Sequence, residues 1–363
     1  MAAEGVTCEA IRDTSIGHYN GGDDDDDTKR SEYELSTLGD SIFDSDGSSI
    51  ASSMSSAVRS NSSILSTVGN YRFEHDRRYH SYREGNWVLP NDQQEQDRMD
   101  IFHQMALLRM DDKLHVAPLE NPRRVLDIGT GTGIWAIEMA FKYPNARVIG
   151  TDLSPIQVSP PANCSFEVED ADSEWVYPTN NFDMIHTRQL LGGISDWRRF
   201  FEQAYAHARP GGWLELQETP PDPHTDGPTP PADLPFLRIF SLFSEAASTT
   251  SRPFADQVSQ FTSHMKAVGF VDVTSETSRL PLGTWSTDPT EKEIGRLNVL
   301  NFVEGMEAYT LALFTRVLGM TAEQVRSLIH EAKKDVCNRK RRWYFDLVIV
   351  RGRKPYMEEV VSA

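Results

Sequence analysis

Three glycines preceded by an acid form the strongest chemical signal in this sequence. An apolar run leads into a loop that contains Asp127, Gly129, Gly131 and Gly133. Glycines permit a tight turn and let a ligand approach the backbone, and the helix start beyond them favours negative charge. A dinucleotide fingerprint would need glycine in place of Ile134. Because the acid ahead of the glycines suits a cationic amine, the spacing disfavours NAD and favours S-adenosylmethionine.

Acidic residues also follow the next two predicted strands. Asp152 ends the second strand, where a carboxylate can accept hydrogen bonds from both ribose hydroxyls of a nucleoside. The neighbouring Leu153 is included in this predicted cofactor site. Asp170, Ala171 and Asp172 follow the third strand on the same edge. Either Asp170 or Asp172 could accept from an adenine amino group, and the spacing leaves this choice open.

Alternating strand and helix patterns predict the elements that must position these residues. Short apolar runs predict strands at 124–128, 146–151, 164–168, 182–187, 212–217, 269–273 and 344–350. Helical spacing predicts helices at 132–142, 197–208, 234–248, 254–268, 290–318 and 321–336. Asn91 and Asp92 followed by Glu95 resemble a capping box that opens an earlier helix. The alternation indicates a doubly wound α/β fold, whose right-handed crossovers bring the strand carboxyl ends to one ligand-binding edge.

The charge of the chain restricts its class of partners. Of 363 residues, 54 are acidic and 36 are basic, which gives a formal net charge of −18. An acidic surface repels nucleic acid and anionic membranes, so we expect no direct binding to either. The opening residues carry no secretory signal, and the three cysteines are too scattered for a zinc cluster. We expect no metal site, and a chain that is cytoplasmic, nuclear or both rather than secreted.

Changes in composition along the chain predict its domain organisation. Residues 1–68 are acidic and serine-rich and bury too little apolar surface to fold, so we expect a disordered tail. We expect residues 69–120 to form a helical lead-in that covers the site. The catalytic domain then spans 121–355, with a helical insertion at about 284–340, and 356–363 form a C-terminal tail.

The motifs occur in the order typical of class I methyltransferases. They read DIGTGTG, TDLSPIQ, VEDADSEW, FDMIHTRQLLGGISDW and ARPGGWLELQE. The flanking segments are RRYHSYREGNWVLPNDQQEQDRMD before this core and LPLGTW, GRLNVLN and YFDLVIVRGRKP after it. Together they resemble the LaeA-like family of fungal methyltransferases from about residue 71 to 355. The resemblance implies a Rossmann-like sheet of seven strands and S-adenosylmethionine as the cofactor.

The resemblance also implies roles for individual residues. Asp127 and the three glycines would hold the methionine end of the cofactor, Asp152 the ribose, and Asp170 with Ala171 the adenine. His186, placed just past the fourth strand, would face the transferred methyl group and act as a base. Glu218, at the end of the fifth strand, is the second candidate for that role.

Two functions remain open at the level of sequence. The first is methylation of a small molecule in fungal secondary metabolism, with an O-methyl product favoured. The alternative is a nuclear regulator of secondary metabolism that acts through velvet-type protein partners, as the family resemblance allows. Intact cofactor motifs are compatible with both functions, so they do not separate them.

Overall fold

A computed structural model describes residues 71–361 except 84, 86, 251, 253, 255 and 339. The predicted tail at 1–68 lies outside these residues. The strands are β1 (Arg72–Glu74), β2 (Arg77–Tyr79), β3 (Arg124–Ile128), β4 (Arg147–Asp152), β5 (Cys164–Val168), β6 (Phe182–Arg188), β7 (Ala208–Glu218), β8 (His224–Thr225), β9 (Val271–Pro281) and β10 (Trp343–Arg353). The helices are α1 (Gln93–Arg109), α2 (Ile134–Lys142), α3 (Trp197–His207), α4 (Pro235–Ser248), α5 (Gln257–Val268), α6 (Pro289–Val317), α7 (Ala322–Val336) and α8 (Met357–Val361).

The central sheet has the strand order β5-β4-β3-β6-β7-β10, with β9 on the far side of β10. The first five of these strands are parallel, and β10 runs antiparallel to both β7 and β9. This order confirms the predicted seven-stranded, doubly wound fold, to which the two-residue β8 adds a short pairing with β10. From β3 the chain adds β4 and β5 on one side, and it then adds β6 and β7 on the other side of β3. In parallel sheets, ligands bind at the carboxyl ends of the strands beside such a switch in strand order.

Apolar residues on one face of the sheet pack under α2. Val125, Val148 and Met184 come from three adjacent strands and contact Trp135 and Met139 of this helix in one buried cluster. This packing fixes the height of α2 above the sheet. The glycine loop that joins β3 to α2 is therefore held rigidly at the carboxyl edge.

The helical insertion and the lead-in helix cover the other half of the same face. Phe102 and Met105 of α1 pack with Ile294 of α6 against Leu347 and Ile349 of β10. Asp92 is the N-cap of α1 and accepts from the backbone N–H of Glu95, as the capping signal predicted. Thus α1 lies across the carboxyl edge of the sheet, where it forms part of the site.

The observed elements differ from the predicted ones in three places. The segment before α1 contains the antiparallel hairpin β1–β2, so the predicted lead-in is not purely helical. The strand β9 extends to Pro281, well beyond the predicted 273, because it pairs with β10 along its whole length. The predicted C-terminal tail contains the short helix α8. No helix of the described residues has the length and apolar character needed to cross a membrane.

Candidate cofactor and acceptor site

A cavity of about 260 Å³ opens at the carboxyl edge of the sheet. It begins over the glycine loop after β3 and extends beneath α1, α4 and α6. Most of the predicted site residues line it, namely Asp127, Gly129, Gly131, Asp152, Leu153, Asp170, Ala171, His186 and Glu218. The fold therefore brings most of the residues predicted from the sequence into the lining of one cavity.

The three glycines of the loop all adopt left-handed backbone conformations, with φ of 69° at Gly129, 58° at Gly131 and 84° at Gly133. Gly133 does not line the cavity. A Cβ there would lie 2.4 Å from the ring of Phe166, so this glycine permits close packing of α2 on β5. Gly129 and Gly131 line the cavity, and a Cβ at either would meet a neighbouring side chain, Leu190 at 2.7 Å or Met99 at 3.0 Å.

The carboxylate of Asp127 is used within the protein. Its Oδ2 accepts from the Thr130 hydroxyl at 2.6 Å, and its Oδ1 accepts from His186 Nδ1 at 2.7 Å. These contacts tie the glycine loop to β6. Each oxygen of Asp127 thus already accepts one hydrogen bond, and a cofactor could use only the lone pairs that remain. The contacts seen in the structure make Asp127 a residue that positions the loop.

His186 lies within β6 and not just past it, which corrects the predicted placement. Its ring is completely buried and stacks on Trp135, with the ring centroids 3.7 Å apart and the planes 4° from parallel. Its Nε2 has no hydrogen-bond partner in the described part of the chain. His186 pairs in register with Asp127 and Glu215, one layer of side chains below the strand end. The predicted strand at 182–187 already included residue 186, and the observed strand extends one residue further, to Arg188.

Asp152 holds two backbone segments together. Its Oδ2 accepts from the Gly131 N–H and its Oδ1 from the Ser154 N–H, both at 2.9 Å. Each oxygen retains a lone pair that could meet a ribose hydroxyl. Burial raises the pKa of Asp152 to about 6, in spite of the two backbone donors that favour the charged form.

The structure separates the two candidates for the adenine contact. Asp170 and Ala171 line the cavity, whereas Asp172 does not. The carboxylate of Asp172 instead forms an ion pair with Arg252 at 2.8 Å and accepts from the backbone N–H of Ser195. Asp170 therefore becomes the candidate, and Asp172 has a structural role in holding the adjacent loop.

Glu218 ends β7 inside the cavity. Its oxygens accept from the backbone N–H groups of Leu190 and Leu191 at 2.9–3.4 Å, which fixes the loop after β6. Burial raises the pKa of Glu218 to about 8. A carboxyl with this pKa exchanges its proton near neutral pH, which is the property required of a general base.

Two cavity residues at the end of β6 escaped the sequence analysis. Arg188 is the last residue of the strand, and Gln189 follows it with a left-handed φ of 58°. The Nη1 of Arg188 and the Nε2 of Gln189 are buried without hydrogen-bond partners among the described residues. Two polar residues at the end of a predicted strand were the available signal, since such positions face the ligand edge of a parallel sheet.

The far end of the cavity is an aromatic chamber, which the sequence analysis also missed. It is lined by Phe240, Phe243, Phe254, Phe302 and Phe345. The rings of Phe240, Phe302 and Phe345 lie with their centroids 5.6–6.0 Å apart. Their spacing along α4 and α6 is that of ordinary core residues, so the sequence alone does not reveal a chamber.

One wall of the chamber carries a buried polar group. Arg98 of α1 forms an ion pair with Glu95 at 2.8 Å, and its Nη1 donates to Asn301 Oδ1 at 2.7 Å. All three residues line the cavity. Arg98, Glu95 and Asn301 form hydrogen bonds with one another, and the other named chamber residues are phenylalanines. The chamber surface is therefore largely apolar, with polar groups along one side.

Comparison with known proteins agrees with this geometry. The family described as "Methyltransferase domain" matches residues 101–274. The chain is 41% identical to methyltransferase pytC of Aspergillus terreus over 297 residues, which cover 81% of this chain and 91% of that protein.

Regulators of secondary metabolism are also similar to this chain. The regulator LAE1 of Cochliobolus heterostrophus is 37% identical over 79% of this chain and 95% of its own length. The regulator laeA of Aspergillus fumigatus is 36% identical over 78% of this chain and 76% of its own length. The chain thus belongs to the LaeA-like family of fungal methyltransferases, to which the glycine loop and the flanking motifs had assigned it.

Proposed function

We propose that this enzyme transfers a methyl group from S-adenosylmethionine to a small, largely apolar acceptor, as a step of fungal secondary metabolism. The observation that carries the proposal is the continuity of the cavity from the glycine loop to the aromatic chamber. A cofactor over the loop and an acceptor in the chamber would meet between the ends of β6 and β7. A chamber lined by aromatic rings suits a flat apolar molecule.

The residues present fit the cofactor. Gly129 and Gly131 line the cavity where the methionine end would lie. Asp152 offers lone pairs to the ribose hydroxyls, Leu153 adds an apolar wall, and Asp170 with Ala171 stands where the adenine would be bound. Asp127 contributes by holding the loop through Thr130 rather than by a contact of its own.

The chemistry required of the protein is alignment and proton acceptance. The sulfonium of S-adenosylmethionine supplies the activated methyl group. Alignment of an acceptor atom with that group is worth about 7–11 kcal/mol. We assign the base to Glu218, since it ends β7 at the junction of the two regions and its pKa lies near 8. His186 then acts as a positioning residue, because its ring is buried between Trp135 and Asp127.

Calorimetric titration of the purified protein tests the cofactor. We expect binding of S-adenosylmethionine and of S-adenosylhomocysteine, and no measurable binding of NAD. Comparable affinity for NAD would contradict the assignment. Incubation of the enzyme with radiolabelled S-adenosylmethionine and an extract of fungal metabolites tests the acceptor, since label should appear in small apolar products.

Regulators among the relatives favour a second function, in which this protein controls secondary metabolism in the nucleus through protein partners. Label transferred to a protein instead of a small molecule would support this alternative. A variant that fills the chamber separates the two functions further. Phe240→Trp narrows the chamber without touching the glycine loop, so it should abolish labelling of small molecules and leave a partner-mediated function intact.

A further inference from the structure

The guanidinium of Arg188 lies in the cavity wall without a direct ion pair to any described residue. Its Nη2 donates to His103 Nδ1 at 2.7 Å, and its Nη1 is buried without a hydrogen-bond partner among the same residues. No carboxylate in the described part of the chain forms an ion pair with it. A buried charge is normally paired, because removal of an ion from water is costly. The position of Arg188 therefore requires an explanation.

The contact with His103 does not neutralise this charge. His103 accepts from Arg188 through Nδ1, so its Nε2 carries the proton and donates to Glu138 at 3.0 Å. Burial and the nearby guanidinium lower the pKa of His103 to about 3, which keeps the ring neutral. The imidazole thus fixes the direction of the Arg188 side chain without pairing its charge, which nearby carboxylates offset only through space.

Asp127, Glu138 and Asp100 stabilise the charge of Arg188 through space, but the described structure shows no direct ion pair with any of them. Asp127 holds Thr130 and His186, and Asp100 of α1 accepts from the Thr132 hydroxyl at 2.7 Å. Burial lowers the pKa of Arg188 to about 10, so the side chain is still charged at neutral pH. The cavity wall accordingly contains a buried cation whose Nη1 lacks a hydrogen-bond partner among the described residues, beside the loop where the cofactor is proposed to bind.

We propose that Arg188 binds the α-carboxylate at the methionine end of the cofactor. The inference rests on the proposed function and adds the residue that recognises the anionic half of the amino-acid group. Arg188 ends β6, which is the direct neighbour of β3 and its glycine loop. A guanidinium is suited to this task, since its planar array of donors matches a carboxylate.

Decarboxylated S-adenosylmethionine provides the test, because it lacks only the carboxylate. Dissociation constants for both ligands are measured by calorimetry on the wild type and on Arg188→Met. The wild type should bind S-adenosylmethionine roughly 10- to 100-fold more tightly than the decarboxylated ligand, as expected for a charge-assisted pair. In Arg188→Met this preference should disappear, through weaker binding of S-adenosylmethionine alone.

The control variant His103→Ala removes the support of Arg188 but keeps its charge. It should retain most of the preference for the carboxylated ligand. If Arg188→Met keeps the full preference, or weakens both ligands equally, the assignment is wrong. If Arg188→Met binds both ligands as tightly as the wild type, Arg188 does not contact the cofactor carboxylate, and the assignment is also wrong. Arg188 would then be a candidate for binding an anionic group of the acceptor. Failure of the wild type to bind either ligand would instead refute the proposed function, on which the inference depends.

Discussion

Replacement of Asp152 tests the cofactor site most sharply. The wild-type carboxylate accepts from the N–H groups of Gly131 and Ser154 at 2.9 Å each, and it has further lone pairs for the ribose. In Asp152→Asn one oxygen becomes an amide NH₂. Whichever way this amide is turned, a donor then faces a backbone N–H, so the variant loses one loop contact and one acceptor. Asn is consequently not the conservative change that its shape suggests.

The expected magnitudes follow from these contacts. Each charge-assisted hydrogen bond is worth roughly 1.5–3 kcal/mol net, so Asp152→Asn should weaken cofactor binding about 10- to 150-fold. Asp152→Ala removes both ribose contacts, with partial replacement by water, and should weaken binding by about 2–4 kcal/mol, or roughly 30- to 1000-fold. The free energy of unfolding of the unliganded protein should fall by about 1–3 kcal/mol in Asp152→Asn, because one backbone N–H of the loop loses its acceptor.

Calorimetry gives the affinities, and thermal unfolding without ligand gives the stability. Asp172→Asn is the matched control, since Asp172 is a nearby acid outside the cavity, and its affinity for the cofactor should equal that of the wild type. If both Asp152 variants bind within a factor of two of the wild type, the ribose assignment is wrong. A large loss of stability without ligand would show that Asp152 mainly holds the loop.

Three further predictions concern pH, catalysis and packing. Because the folded pKa of Asp152 is about 6 and ribose hydroxyls need its charged form, cofactor affinity measured across pH should fall below about pH 6, and Asp152→Asn should lose this dependence. Glu218→Gln should keep cofactor binding but slow methyl transfer by about 10²–10⁴-fold, and the wild-type rise in rate through pH 8 should vanish; an unchanged pH–rate profile excludes Glu218 as the base. Gly133→Ala should lower the free energy of unfolding by about 2–4 kcal/mol through strain and overlap with Phe166, whereas Gly319→Ala, with a similar φ but open space, should cost only about 1–2 kcal/mol; equal losses in denaturant titrations would contradict the packing argument.

Local patterns in the sequence were sufficient to predict the strand, loop and helix that form the cofactor site. An apolar run, three glycines and a helical pattern follow one another directly in the chain, so β3, its loop and α2 were predicted together. Asp152 was predicted for the same reason, because it directly ends a strand. The parallel arrangement then places both strand ends on one edge without further information.

The choice among neighbouring residues was decided only by the tertiary structure. Asp170 and Asp172 have the same sequence context and each pairs with an arginine, Asp170 with Arg83 at 3.7 Å and Asp172 with Arg252 at 2.8 Å, but only Asp170 lines the cavity. His186 was expected to face the transferred methyl group, but its ring is buried inside the strand by Asp127 and Trp135. Contacts between segments far apart in the chain are not visible in a local pattern.

The acceptor chamber depends entirely on such contacts. Its walls come from α4, α6 and β10, and phenylalanines in each would serve equally well as core residues. Their role follows from the position of α1 and α6 over the sheet edge, where the packing leaves a cavity. The sequence by itself determined the fold, the cofactor loop and the chemistry to expect there, because these are set by short-range spacing. The tertiary structure decided which side chains face the cavity and what shape of acceptor fits, because long-range packing sets both.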